Sequence, residues 1–362
     1  MNKYLILSFP FLLFFILISS NIFAKSDNVI NCNDLNYEKS LLLKNKNFSS
    51  FNLDISINKE RKWKKILLKN MISYKEQNSF ANKGSTKANI TFSINDIKCF
   101  SKAEIKPHGD FSVHHVNENT GQLYEIPSIK VDLINNHVFG ITKFILFRPI
   151  SRGYNNEVLI STILNSIGLL SPQTANVSVF YNAKKMNFIF QERITKEFLE
   201  KNHLIEGPIL KGDERFSFNF FKEKKDEIAK LSNHKISNGA WAIKNINNLN
   251  VAKKSLKILN YVNYFYDSEI NEHYIVDYYG SNKRNKNIKY FEAIPVFDAL
   301  MYSLSAVHNI SKDDRRFYYD SINQLYHPIY YDGDTRIIDI NNNVNESFKN
   351  INKNWYFSMI KG

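Results

Sequence analysis

Several features that would make this chain easy to place are absent. It has only two cysteines in 362 residues, Cys32 and Cys99. Two thiols so far apart exclude a cysteine-built zinc site. They leave either one disulfide or two unpaired thiols, and the sequence does not choose between these. There is no dense basic block, although the formal net charge is +13. The lysines are scattered among many Asn and Ile residues, so the excess looks compositional and does not describe a nucleic-acid-binding arm. Beyond the N-terminus no stretch is apolar for the roughly 20 residues that a spanning helix needs. No internal repeat is visible.

A leader-like N-terminus is present. Lys3 precedes an apolar run from Tyr4 to Ile18, and Ala24 is a small residue suited to cleavage. The pattern is that of an export signal over 1–24, and the expected location is periplasmic or extracellular. An exported chain meets little nucleic acid, so none is expected as a partner. With the signal removed, no integral membrane span and a monomer are expected.

The whole chain has 43% hydrophobic residues, enough for a large core. Residues 25–87 are polar and Asn/Lys-rich and are expected to form an extension. Within it Trp63, Ile66, Leu67 and Met71 share a helical face. From residue 88 the period changes to two. "NITFSIND", "IKCFSKAEIKP", "PSIKVDLI" and "ITKFILFRP" read as strands, with Ile129, Val131 and Leu133 alternating against Ser128, Lys130 and Asp132. "YNNEVLISTILNSIGLL" reads as a helix. Asn155 or Asn156 would cap it, Val158, Leu159, Ile163 and Ile167 form its apolar face, and Gly168 ends it. A hairpin turning at Asn182-Ala183 and a short helix near Phe198 follow. Residues 216–290 are helical by pattern and show no recognisable chemistry. "PVFDALMYSLSAVHNI" predicts a helix opening near Asp298. "RRFYYDSINQLYHPIYYDGD" predicts a second hairpin, turning at 320–323 and ending in Asp332-Gly333-Asp334.

Candidate site residues are few. Lys130 lies on the polar face of a strand, and Glu157 lies early in a helix. Glu192 ends the first hairpin. His308, Asn309, Asp313 and Asp314 form a polar loop, and Asp332 and Asp334 flank a glycine. Each has a plainer reading. A strand lysine is usually solvated, and Glu157 complements a helix dipole. His308 caps a helix end. Asp313-Asp314 before Arg315-Arg316 makes a salt-bridged turn, and Asp-Gly is itself turn chemistry. His114 and His115 are adjacent, so on a strand they face opposite sides.

Taken in order, these segments resemble the CotH-type spore-coat kinases. The resemblance rests on "KPHGD", "PSIKVDL", "ITKFILFRPISRGYNNEVLISTILNSIGLLSP", "NVSVFYNAKKMNFIFQERITKEFL" and the hairpin running into "YYDGD". In the family an Asn-Tyr-Tyr-Leu-Tyr strand and turn precede Trp-Asp-x-Asp. The match covers residues 95–215 and 295–340. It departs at Tyr331, where the family has Trp, at Asn-Ala in place of Asn-Gly, and in lacking a Gly-x-Gly-x-x-Gly loop and a His-Arg-Asp. The resemblance implies an α+β, two-lobed protein-kinase-like fold. A β-rich N-lobe with one central helix would span 88–215. A mostly helical C-lobe would span 216–362, with its catalytic and metal hairpin at 308–334. It further implies an ATP- and Mg²⁺- or Mn²⁺-dependent transfer of phosphoryl to a hydroxyl of a protein or surface-glycan acceptor. Lys130 would contact phosphate and Glu157 would pair with it, with Glu192 near the nucleotide. Asp314, or its neighbour Asp313, would be the catalytic acid, and Asp332 and Asp334 would hold the metal. The missing motifs keep two alternatives open: an inactive scaffold in envelope or surface assembly, and transfer of AMP.

Overall fold

A computed structural model describes residues 30–34, 50–75, 84–94, 97–109, 114–117, 119–213, 233–267, 293–311, 313–335 and 337. The leader-like segment 1–24 and much of 216–290 lie outside this set. Eight strands make the first sheet: β1 (Ile30–Asn31), β2 (Ser50–Ile57), β3 (Thr86–Ile94), β4 (Ile97–Pro107), β5 (Ile129–Leu133), β6 (Lys143–Phe147), β7 (Thr174–Tyr181) and β8 (Lys184–Glu192). Their order is β1-β4-β3-β2-β7-β8-β6-β5, and β5 pairs again with β4. Seven strands therefore close into a barrel, with β1 added in parallel outside β4.

This closure corrects the expected architecture. The chain does not form a two-lobed kinase-like fold. It forms a closed seven-stranded barrel, a second small sheet and, among the described residues, six helices. The decisive strand is β2, which lies in the segment expected to be a polar extension. Phe51, Leu53, Ile55 and Ile57 point inward, and Asn52, Asp54 and Ser56 point to solvent. This strict alternation supplies one inward face. β2 pairs antiparallel with β3 and parallel with β7, bridging what would otherwise be two sheet edges.

Side chains fill the barrel: Leu53, Ile90, Phe92, Val131, Phe144, Leu146, Val179, Phe188 and Phe190 belong to one cluster. Phe190 lies tilted against Phe144 at 4.6 Å and meets Phe51 edge-on at 5.2 Å. The predicted helix around Trp63 is α1 (Glu60–Lys75), whose Trp63, Ile66 and Leu67 join this cluster. The two cysteines form a disulfide, Cys32–Cys99, which ties β1 to β4.

The second sheet has the order β10-β9-β11-β12, from β9 (Ile209–Gly212), β10 (His234–Ile236), β11 (Arg316–Asp320) and β12 (Leu325–Ile329). β11 and β12 are the predicted second hairpin. The other helices are α2 (Asn155–Ser166), α3 (Lys196–Lys201), α4 (Gly239–Ala242), α5 (Ile246–Asp267) and α6 (Ala293–Ser303). None of the described helices is long and apolar enough to cross a membrane.

The barrel and the second sheet meet along α2. Val158 packs on the outer barrel residues Ile145, Phe147 and Ile189. Ile160 and Leu164 pack with Phe297 and Met301 of α6 and with Tyr330, just past β12. The Tyr330 N–H donates to the Leu170 carbonyl at 2.9 Å. The buried face of α2 is therefore Asn156, Glu157, Ile160, Ser161 and Leu164. This corrects the expected apolar face, since Leu159 and Ile167 are exposed. The helix also begins without a side-chain cap: Tyr154, at φ 55, precedes it, and Asn155 instead bonds Asn176.

Candidate functional site

The chain reaches the seam from both sides with constrained backbone. On the barrel side, β6 ends in a 3-10 turn, Pro149–Arg152, closed by Gly153 at φ +60. A Cβ at Gly153 would sit 2.8 Å from the Thr335 carbonyl, so only glycine admits this approach. On the other side β12 runs into Tyr330, Tyr331, Asp332, Gly333 and Asp334. Asp332 and Asp334 both adopt positive φ, 55° and 44°. Asp tolerates this region better than most residues, at a cost of roughly 1–2 kcal/mol each. A Cβ at Gly333 would meet the Tyr330 hydroxyl at 2.7 Å and the Thr335 hydroxyl at 2.8 Å. Tyr330 and Gly333 of this segment are buried, so it is more than a surface turn.

Arg152 is buried and binds Asp332 Oδ2 through Nη1 at 2.5 Å. Its Nη2 donates to the Tyr331 hydroxyl at 3.3 Å, and its guanidinium lies 4.0 Å over the Phe147 ring. Burial alone would lower the Arg152 pKa. Asp332, Tyr331 and Glu157 more than offset this, and the net shift is upward. Arg316 lies 3.3 Å over the Tyr331 ring.

Across the seam, His308 sits in a 3-10 turn, Val307–Ile310, after α6. Its Nδ1 lies 3.0 Å from the Asp332 carbonyl, and its Nε2 lies 3.2 Å from Asp314 Oδ2. With Nδ1–H donated to the carbonyl, Nε2 is the nitrogen that faces the carboxylates; it carries a proton toward Asp314 without a cation and would give that proton up to ligate one. The ring protonated at Nδ1 alone is the tautomer that a metal-ligating histidine uses. One ligand atom each from His308, Asp314 and Asp332 lies within 4.8 Å of the others. Asn309 is fully buried and donates through Nδ2 to the Tyr331 carbonyl at 2.7 Å. Its Oδ1, and Oδ1 of Asp313, are buried acceptors with no hydrogen-bond partner. Burial raises Asp314 to about 6, against the pull of His308. Burial would lower His308, but Asp314 and Asp332 carry it upward.

The expected residues divide accordingly. Asp314, Asp332 and His308 converge, with Asp313 beside them. Asp334 follows the turn and is exposed, outside the trio. Glu157 is fully buried on α2. Its Oε1 accepts from Gln191 Nε2 and its Oε2 from the Tyr330 hydroxyl, each at 2.7 Å. Burial raises it to about 7, with Arg152 opposing. Lys130 lies on the outer barrel face, opposite Ile145, which is itself opposite Gln191. It shares a rung with the residue that holds Glu157, two strands or about 10 Å away. Glu192, one residue beyond Gln191, turns to the other face and pairs with Lys201. It also accepts from the Gln173 N–H at 3.2 Å.

Sequence reasoning did not single out Arg152, Tyr330 or Gln191. Arg152 follows a proline in a short turn, and its only sequence signal is the adjoining Gly153. Arg315 does not pair in a turn with Asp313 or Asp314. It makes a bidentate ion pair with Asp298 at 2.6 and 2.7 Å, and Asp298 lies mid-helix in α6 and not near its start. His114 and His115 are both buried and engaged, His114 with Ser128 and His115 with the Gly109 carbonyl.

The donor set fits a divalent cation: two carboxylates, one correctly oriented imidazole, and two orphaned buried oxygens beside them. One imidazole among oxygens moves the preference from Mg²⁺ toward Mn²⁺ or a later divalent ion. No protein-family model matches the chain, and no curated protein matches it either.

Proposed function

We propose that the protein is an exported, divalent-metal-dependent phosphotransferase, moving the terminal phosphoryl group of ATP to a hydroxyl of a protein or surface-glycan acceptor. The observation that carries this reading is the convergence of His308, Asp314 and Asp332 beside the unpartnered acceptors of Asn309 and Asp313. The CotH-type resemblance supports it through particular segments and not through the overall architecture. The stretches "FRPISRGYNNEVL" and "PIYYDGD" supply Arg152, Glu157 and Asp332, which meet at this seam. The leader-like N-terminus supports export.

His308, Asp314 and Asp332 would hold the cation, and Lys130 would reach the nucleotide phosphates. A divalent cation held there would supply positive charge against the polyphosphate. The acceptor oxygen bonds to the γ-phosphorus while the bond from that phosphorus to the β,γ-bridging oxygen breaks, and ADP leaves with the electron pair. The acceptor proton passes to Asp313, whose Oδ1 has no partner. Glu157, Gln191 and Tyr330 fix the strand end that carries Asp332.

A non-catalytic assembly role has one observation in its favour. Arg152 already neutralises Asp332, so the central carboxylate has a partner without a ligand. Calorimetry of ATP binding to the full-length protein, with and without Mn²⁺, separates the two readings. Metal-dependent binding that Asp332→Ala abolishes is expected. A folded wild-type protein that binds no ATP under either condition overturns the phosphotransferase reading.

A further inference from the structure

Two arginines lie over one ring at this centre. Arg316 stands 3.3 Å and Arg152 5.4 Å from the centroid of Tyr331. Each has a buried Nε with no hydrogen-bond partner. Arg152 has an acidic partner in Asp332, and that carboxylate is also one of the three groups placed to hold a cation. A cation on Asp332 would draw off the charge that now compensates Arg152. A buried guanidinium cannot be left uncompensated without a large penalty. Its planar fork matches a tetrahedral oxyanion better than any other side chain does. Asp313, Asp314, Asp332 and Glu157 stand against Arg152 and Arg316, and two added positive charges remove the excess of negative charge that the centre holds without a cation.

We propose that Arg152 and Arg316 form a phosphoryl-binding subsite that becomes available when a divalent cation engages Asp332, so that cation and phosphoryl group bind cooperatively. The ion pair between Arg152 and Asp332 is the resting form of this subsite. The inference rests on the metal-centre reading above and extends it to the residues that hold the anion. By linkage, the factor by which the cation tightens phosphate must equal the factor by which phosphate tightens the cation.

The test is calorimetry on the full-length protein, titrating MnCl₂ alone, inorganic phosphate alone, each in the presence of the other, and ATP with Mn²⁺. The variants are Arg152→Gln and Arg316→Gln. Wild type should bind phosphate about ten- to a hundredfold more tightly with Mn²⁺ present, the worth of one or two charge-assisted hydrogen bonds. Arg152→Gln should lose that enhancement while binding Mn²⁺ alone as well as wild type or better, because the competing cation is gone. A merely structural role for Arg152 would weaken both ligands together. Arg316→Gln keeps the Arg152–Asp332 pair and serves if Arg152→Gln does not fold; it too should lose phosphate and keep Mn²⁺. ATP binding more tightly than phosphate, with the same loss in the variants, assigns the subsite to a nucleotide. Equal affinities assign it to a phosphate monoester. Mn²⁺ binding with phosphate affinity unchanged by Mn²⁺ or by either variant overturns the subsite and leaves the metal centre standing. No Mn²⁺ binding overturns both.

Discussion

The barrel interior and the seam against its outer face follow opposite rules. On β6, Phe144 and Leu146 point into an apolar cluster that contains no carboxylate, lysine, arginine or histidine. On β8, Phe190 points inward, while Gln191 points outward to a buried glutamate. The interior needs only volume and alternation. The seam buries Arg152, Glu157 and Asn309 and bends Asp332 and Asp334 into positive φ. Each of these choices costs stability, and an apolar contact of the same size would have served the fold at least as well. That contrast sets the seam apart from the barrel interior as a region where buried polar groups decide the packing.

The comparison is sharpened most by a barrel substitution. Phe190→Ala removes a fully buried ring that contacts Phe51 and Phe144. It should lower unfolding stability by about 3–5 kcal/mol, the usual loss for a core phenylalanine. Urea denaturation gives the stability, and a Mn²⁺ titration on the folded population should match wild type. A folded Phe190→Ala protein that has lost Mn²⁺ would dissolve the distinction between the two faces.

A smaller effect is expected on the seam side, and it has a sign. Glu157 is raised from 4.5 to about 7, mainly by burial. Arg152 opposes the shift, Asp332 adds to it, and Tyr330 and Gln191 donate to the carboxylate. Between these two pH values the folded chain keeps a proton that the unfolded chain has released. The stability that Glu157 contributes is thus fully present below 4.5 and is lost as pH rises through about 7. Glu157→Gln keeps the shape and removes the titration. The difference in melting temperature, variant minus wild type, should grow from pH 5 to pH 8. A difference that stays constant across that range contradicts the shift.

The same contrast explains what could be read from the sequence. Strands with one buried face declare themselves by period, so β3 to β8 and the β11–β12 hairpin were legible. β2 was equally periodic but sat among Asn and Lys residues, whose composition outweighed eight alternating positions. Closure of the barrel depends on which strands pair across distance, and a single sequence carries no direct signal for that. At the site, carboxylates were visible as residue types, so Asp314 and Asp332 could be named. Arg152 could not, because its role comes from a tight turn that meets a segment about 180 residues away. The face of α2 was misplaced for a related reason. Leu159 and Ile167 suggested an apolar stripe, but the helix docks through Glu157 and Ser161, whose partners lie on other elements.

The smallest expected effect compares backbone strain in the two regions. The β7–β8 hairpin turns on Asn182 and Ala183, both at positive φ, 50° and 61°. Two such residues suit the tight turn that a right-twisted hairpin prefers, but alanine is a poor occupant of that region. Ala183→Gly should raise stability by about 0.5–1 kcal/mol, the relieved strain less the greater entropy of the unfolded glycine. Nothing near Ala183 belongs to the seam, so Mn²⁺ affinity should not change. Asp332 carries the same strain at φ 55°, but there the side chain holds Arg152 and faces His308 and Asp314. Strain at the hairpin can be removed without functional consequence, while strain at Asp332 is inseparable from the group it positions. A gain in stability at Ala183→Gly accompanied by altered Mn²⁺ binding would show that the two regions are coupled through β8.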